Sequence, residues 1–141
     1  PAADGKGVGV SDILQALRLR EKGQTLYYRA LAARAEGDGD AALAERFNGL
    51  HADEQHHLSR LTARLLELGI VPTELPRSTP PLPSVDAWES EATRREADEV
   101  AAYEEALQAC AHDAETRRIL QEILTSETQH LAHLGGKWMP A

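Results

Sequence analysis

The sequence has a single cysteine, Cys110, and aromatic residues make up only 4% of its 141 positions. One cysteine excludes an intramolecular disulfide, a four-cysteine zinc site and an iron–sulfur cluster held by the chain alone. Alternating runs of β-branched residues are missing, which argues against strands. No apolar run approaches the roughly 20 residues of a membrane span. Positive charge is also short: 15 Lys and Arg stand against 23 Asp and Glu, for a net charge of −8. That balance argues against a nucleic-acid partner. Residues 1–11 carry no apolar signal core and read as a flexible arm. With the scarcity of cysteine, this predicts a cytoplasmic protein and no membrane partner.

What is present is a helix-forming vocabulary of Ala, Leu, Glu and Arg, with 42% hydrophobic residues and length for one domain. Four amphipathic segments follow in order. The first begins after Ser11, a good N-cap, and runs to about Glu36, with the inward stripe Leu14, Leu17, Glu21, Gln24, Tyr28, Leu31, Ala35. The second runs from about Ala41 to Leu68, with Leu43, Phe47, Leu50, Glu54, His57, Leu61, Leu65 and Leu68 on its stripe. The third spans about Asp86 to His112, through Trp88, Ala92, Glu96, Glu99, Tyr103, Leu107 and Cys110. The fourth spans about Ala114 to Leu134, through Leu120, Ile123, Glu127, His130 and Leu134. Cys110 thereby reads as a small core residue rather than a nucleophile. Residues 70–86 contain five prolines and cannot be helical. Extended at ~3 Å per residue, such a linker reaches ~50 Å, more than the ~37 Å of a 25-residue helix. It can therefore cross the length of a bundle. The expectation is an all-α, four-helix bundle over residues 12–135, with one long crossover between helices 2 and 3 and a tail at 136–141.

In each helix the apolar stripe is broken at mid-length by acidic or imidazole side chains. Glu54-Gln-His-His57 and Glu127-Thr-Gln-His130 repeat one Glu-x-x-His pattern, which sets Glu and His on one face a turn apart. Carboxylates on a core-facing stripe are costly unless something neutralises them. The halves correspond further: Glu21 precedes Tyr28 as Glu96 precedes Tyr103, and Gln24 takes the place of Glu99. Two Glu-x-x-His helices with a Glu from each of two others form the ligand arrangement of a dinuclear carboxylate site in a bundle. The expected ligands are Glu21, Glu54, His57, Glu96, Glu127 and His130, with His57 and His130 on one metal each. Glu54 and Glu127 bridge, and Glu21 and Glu96 cap the outer sides. Mixed oxygen and nitrogen ligands suit two Fe or Mn ions. Glu99 is either a seventh, mobile ligand or a solvent-facing residue. Tyr28 and Tyr103 stand at the right height to donate to a carboxylate. Gln24 is neutral and makes the two metals inequivalent. His51 lies near the same face, either supporting the site or at its half-exposed boundary.

With these motifs assembled, the chain resembles the ferritin-like superfamily, and within it the rubrerythrin-like diiron proteins. The resemblance covers residues ~12–135 and implies a ferritin-like bundle with two iron ions that react with hydrogen peroxide or dioxygen. Glu99 resembles the additional helix-3 carboxylate of rubrerythrins. The four cysteines of a rubredoxin module are missing, so the reductant is expected to be a separate electron donor. A homodimer is the expected assembly. Three alternatives use the same residues: ferritin-like iron sequestration, manganese catalase-like chemistry, and oxygenation of an organic substrate. A non-catalytic bundle that keeps its carboxylates without metal is a fourth.

Overall fold

The computed structural model describes residues 9–78 and 87–135. The greater part of the expected arm, the crossover from 79 to 86 with the expected helix start at Asp86, and the tail at 136–141 lie outside the described residues. Four helices form: α1 (Val10–Gly37), α2 (Ala41–Glu67), α3 (Trp88–Ala109) and α4 (Ala114–Gly135). No helix among the described residues is long and apolar enough to cross a membrane.

The helix ends follow local chemistry. At Asp38–Asp40 and Leu68–Ile70 a glycine adopts positive φ, +78° at Gly39 and +76° at Gly69. In both turns two backbone N–H groups reach back to the last helical carbonyls: Gly39 to Glu36 and Asp40 to Ala35, then Gly69 to Leu66 and Ile70 to Leu65. This is the glycine-terminated stop that avoids a Cβ clash. Asp40 then caps α2 by accepting from the Leu43 N–H at 3.1 Å. Asp113 caps α4, accepting from Thr116 N at 3.0 Å and Thr116 Oγ1 at 2.8 Å. Arg64 of α2 also binds Asp113, which ties the α3–α4 turn to the other hairpin.

Some expected boundaries move. Ser11 is not the first cap. Helix α1 starts at Val10 with Gly9 as its N-cap, because Val10 and Ile13 pack against the core and extend the helix past Ser11. Helix α3 ends at Ala109 rather than His112, since Cys110 leaves helical geometry to close the turn that frees Asp113 for capping. Leu68 is exposed, not part of the stripe, because it is the cap residue of α2.

The connection order is that of a bundle with one long crossover. Tyr28 of α1 reaches Glu96 of α3 while Glu21 reaches Tyr103, so α1 and α3 run antiparallel. Asp53 and Arg60 of α2 meet His130 and Glu122 of α4, again antiparallel. Hence α2 and α3 start at the same end, where Phe47 meets Trp88. The first part of the crossover is strapped along α1: Gln15 bonds Val71 and Thr73, and Arg18 bonds the Thr73 carbonyl at 2.7 Å.

The interior is two apolar layers with a polar layer between them. One layer gathers Leu14, Leu17, Leu61, Leu65, Leu107 and Leu120 with their neighbours. The other gathers Tyr27, Leu31, Phe47, Trp88, Ala92 and Leu134. Cys110 is a buried free thiol in the first. Phe47 is fully buried and edge-on to Trp88, with ring centroids 4.7 Å apart. Phe47→Ala is therefore expected to cost about 3–5 kcal/mol, read as a lower urea midpoint at unchanged slope. A loss below about 1 kcal/mol would contradict this packing.

Candidate metal centre

The middle layer consists of Glu21 and Gln24 from α1, Glu54 and His57 from α2, Glu96 and Glu99 from α3, and Glu127 and His130 from α4, all buried. Helical spacing delivers each pair from one face, and the antiparallel packing brings the pairs to one height. Ligand atoms of Glu21, Glu54, His57 and Glu127 lie within 4.8 Å of one another. So do those of Glu54, Glu96, Glu127 and His130. The two groups share Glu54 and Glu127, the residues expected to bridge.

Both imidazoles turn Nδ1 inward. His57 Nδ1 is 3.0 Å from Glu54, 3.5 Å from Glu21 and 3.8 Å from Glu127. His130 Nδ1 is 3.0 Å from Glu127, 3.7 Å from Glu96 and 3.8 Å from Glu54. The outer carboxylates are held reciprocally across the α1–α3 seam. Tyr103 donates to Glu21 Oε2 at 2.5 Å, and Tyr28 donates to Glu96 Oε2 at 2.6 Å. Burial, then the neighbouring carboxylates, keep both phenols protonated and able to donate.

Four carboxylate oxygens here, Glu21 Oε1, Glu54 Oε2, Glu96 Oε1 and Glu127 Oε2, are buried without a hydrogen-bond partner. Buried acceptors are rarely left so. Free lone pairs on four converging carboxylates, beside two inward imidazole nitrogens, are the donor set that divalent Fe or Mn accepts. The residues therefore fit a dinuclear metal centre.

Without metal the layer retains protons. Burial raises Glu54 well above the ordinary carboxyl range, and the charges of Glu21, Glu127 and Glu96 add to it. Burial raises Glu127 to about 9 against the opposing hydrogen bond from His130. For His130 burial acts downward, but its hydrogen bond to Glu127 and the charges of Glu96 and Glu127 outweigh it and raise the imidazole to about 11. Glu96 goes the other way: burial acts to raise it, while His130 and Tyr28 leave it below its usual value.

Glu99 is buried but belongs to neither ligand group. Its Oε2 is paired with Arg20 at 2.9 Å, while Oε1 is buried and unpartnered. Burial and the Glu21 charge, opposed by Arg20, raise it to about 7. Gln24 donates to Glu96 Oε2 at 3.1 Å and accepts from Arg95 at 2.9 Å. His51 is half-buried, its Nδ1 3.0 Å from the Thr25 carbonyl, and it joins neither ligand group. Three contributors were missed from sequence: Arg20, Arg95 and Asp53, whose Oδ2 lies 2.9 Å from His130 Nε2. The arginines carried a signal, since each immediately precedes a repeat-matched Glu, at Glu21 and Glu96. Asp53 carried none, because its partner is on another helix.

The retained protons set a pH dependence. Glu127 and His130 titrate higher folded than unfolded, so the folded metal-free chain binds more protons between those limits, and stability must fall as pH rises through that window. The melting temperature of metal-free protein, followed by circular dichroism, is expected to drop steadily between about pH 5.5 and 9. A flat or rising profile would contradict the protonation assigned here.

The structure superposes on that of Desulfovibrio desulfuricans bacterioferritin, a protein whose diiron site is described in different catalytic states, with a TM-score of 0.82 and 22% identity. The alignment covers 89% of this chain and 75% of that one, and at this identity it shows a shared fold. No curated protein matches the sequence. The ferritin-like domain family matches residues 20–137, most of the chain and all four polar segments of the middle layer. The chain belongs to the ferritin-like domain family.

Proposed function

We propose that the chain is a dinuclear iron oxidoreductase that oxidises bound Fe(II) with dioxygen or hydrogen peroxide. One observation carries this reading: two overlapping four-residue ligand groups, sharing Glu54 and Glu127, with a buried unpartnered oxygen on each carboxylate. Bound as a pair, iron supplies two one-electron oxidations, which match a two-electron reduction of peroxide. The chain's own part is to hold ligand number and geometry and to exclude water. Tyr103 and Tyr28 fix the outer carboxylates, leaving one oxygen of each facing inward. The apolar layers above and below shut off both ends of the bundle interior. Protons held on Glu127 and His130 leave as cations arrive, so binding releases acid at neutral pH.

Approach on this reading is from the side. Arg20, Gly23, Gln24, Arg95 and Glu99 line an open cleft between α1 and α3, and Gln24 of that lining bonds the outer carboxylate Glu96. A small oxidant and an iron ion fit such a route, and a separate reductant protein can approach the same face. A homodimer is the assembly that goes with this reading. The ion pair of Arg20 with Glu99 bears on the rubrerythrin-like branch. The pairing with Arg20 holds Glu99 Oε2 away from the two ligand groups, which favours ferroxidase-type over peroxidase-type turnover.

Protein loaded anaerobically with Fe(II) should hold about two ions per chain by mass spectrometry. A Glu54→Gln/Glu127→Gln double variant should hold fewer than about 0.2. Oxidation of the loaded iron should then be followed in stopped flow with dioxygen and with peroxide. Releasing Glu99 by Arg20→Ala should shift the preference toward peroxide, and an unchanged ratio of the two rates would argue against a gating role for Glu99. Uptake far beyond two ions per chain would instead favour iron sequestration.

A further inference from the structure

The two halves of the centre match in their ligands but not in what holds those ligands. In the Glu96–His130 half, Glu96 Oε2 accepts from two donors, Tyr28 at 2.6 Å and Gln24 at 3.1 Å. Gln24 is itself held by Arg95 at 2.9 Å. His130 is gripped from behind, with Asp53 Oδ2 2.9 Å from Nε2. In the Glu21–His57 half, Glu21 Oε2 accepts from Tyr103 alone among the described residues. The position matching Gln24 is Glu99, whose Oε2 turns to Arg20 at 2.9 Å rather than to Glu21. The position matching Asp53 is Ser126. Among the described residues nothing is hydrogen-bonded to His57 Nε2.

This difference bears on metal affinity in one direction. A ligand already locked in place loses less freedom on binding, and a carboxylate behind an imidazole fixes its tautomer and makes its other nitrogen a stronger donor. The opposing effect is the extra negative charge of Glu99 near the Glu21 side, and Arg20 neutralises it at 2.9 Å. Resting on the dinuclear reading above, we propose that the two metal positions are filled in order. The Glu96–His130 position binds first and retains its ion, with Asp53 as the residue that positions His130. The Glu21–His57 position binds second, exchanges its ion, and lies on the side of the cleft that carries Glu99.

The test is an anaerobic Co(II) titration of the full chain, read by calorimetry and by the visible absorption of the bound ion. The parent should take two ions in two steps whose dissociation constants differ at least tenfold, and Asp53→Asn should weaken the first step roughly 10- to 100-fold while moving the second less than about threefold. The Asp53 side chain is 57% exposed, so this variant leaves the core intact. Glu21→Gln should keep one tight ion, and Glu96→Gln should keep one weak ion and lose the tight step. Helical circular dichroism confirms that each variant is folded. Two ions in a single step, or a first step unmoved in Asp53→Asn, would overturn the ordering while leaving the dinuclear centre standing. No Co(II) bound by the parent would overturn the dinuclear reading and the ordering with it.

Discussion

Four carboxylates face one another in the core, and their mutual repulsion organises the rest of the molecule. Glu21, Glu54, Glu96 and Glu127 are each fully buried, at a depth where an isolated ionised carboxylate is far too costly to keep. The layer survives only if positive charge or protons enter it. The protonated His130 and the raised Glu54 and Glu127 do this without metal. Under the proposed function divalent cations would do it by replacing those protons, and each of the four carboxylates keeps one oxygen without a hydrogen-bond partner. The same layer that weakens the apolar core is thus the reason for the fold's arrangement.

The internal repeat explains how one small chain builds that layer. Each half contributes a helix with an outer Glu and a Tyr, then a helix with Glu-x-x-His. Because α1 and α3 run antiparallel, the Tyr of one half reaches the Glu of the other, and neither half completes its ligands alone. The long crossover is what permits this, since it returns the chain to the end where α2 began. The apolar layers on either side keep solvent out and hold the helices in register.

Much of this was legible from residue spacing. The mid-helix breaks in the apolar stripes located the buried carboxylates and imidazoles, because a periodicity of 3.6 leaves little freedom in which residues face inward. The break at residues 70–86 with its five prolines announced the crossover. Legibility failed where the deciding contact lies between helices. Glu99 sits on the buried stripe as expected, yet whether it faces a metal or a cation depends on Arg20, on a different helix. Asp53 is next to Glu54 but off the stripe, and only the α2–α4 packing shows that it backs His130. The start of α1 was misplaced for a related reason: Ser11 is a good local cap, but burial of Val10 and Ile13 outweighs it.

On the proposed function, the buried carboxylates hold two metals, with Glu54 and Glu127 between them. The most direct measurement is anomalous X-ray diffraction at the iron edge from crystals grown anaerobically with Fe(II). Two peaks about 3.5–4 Å apart are expected, one beside His57 Nδ1 and one beside His130 Nδ1, with Glu54 and Glu127 reaching both. A single peak, or iron found only on the bundle surface, would contradict it.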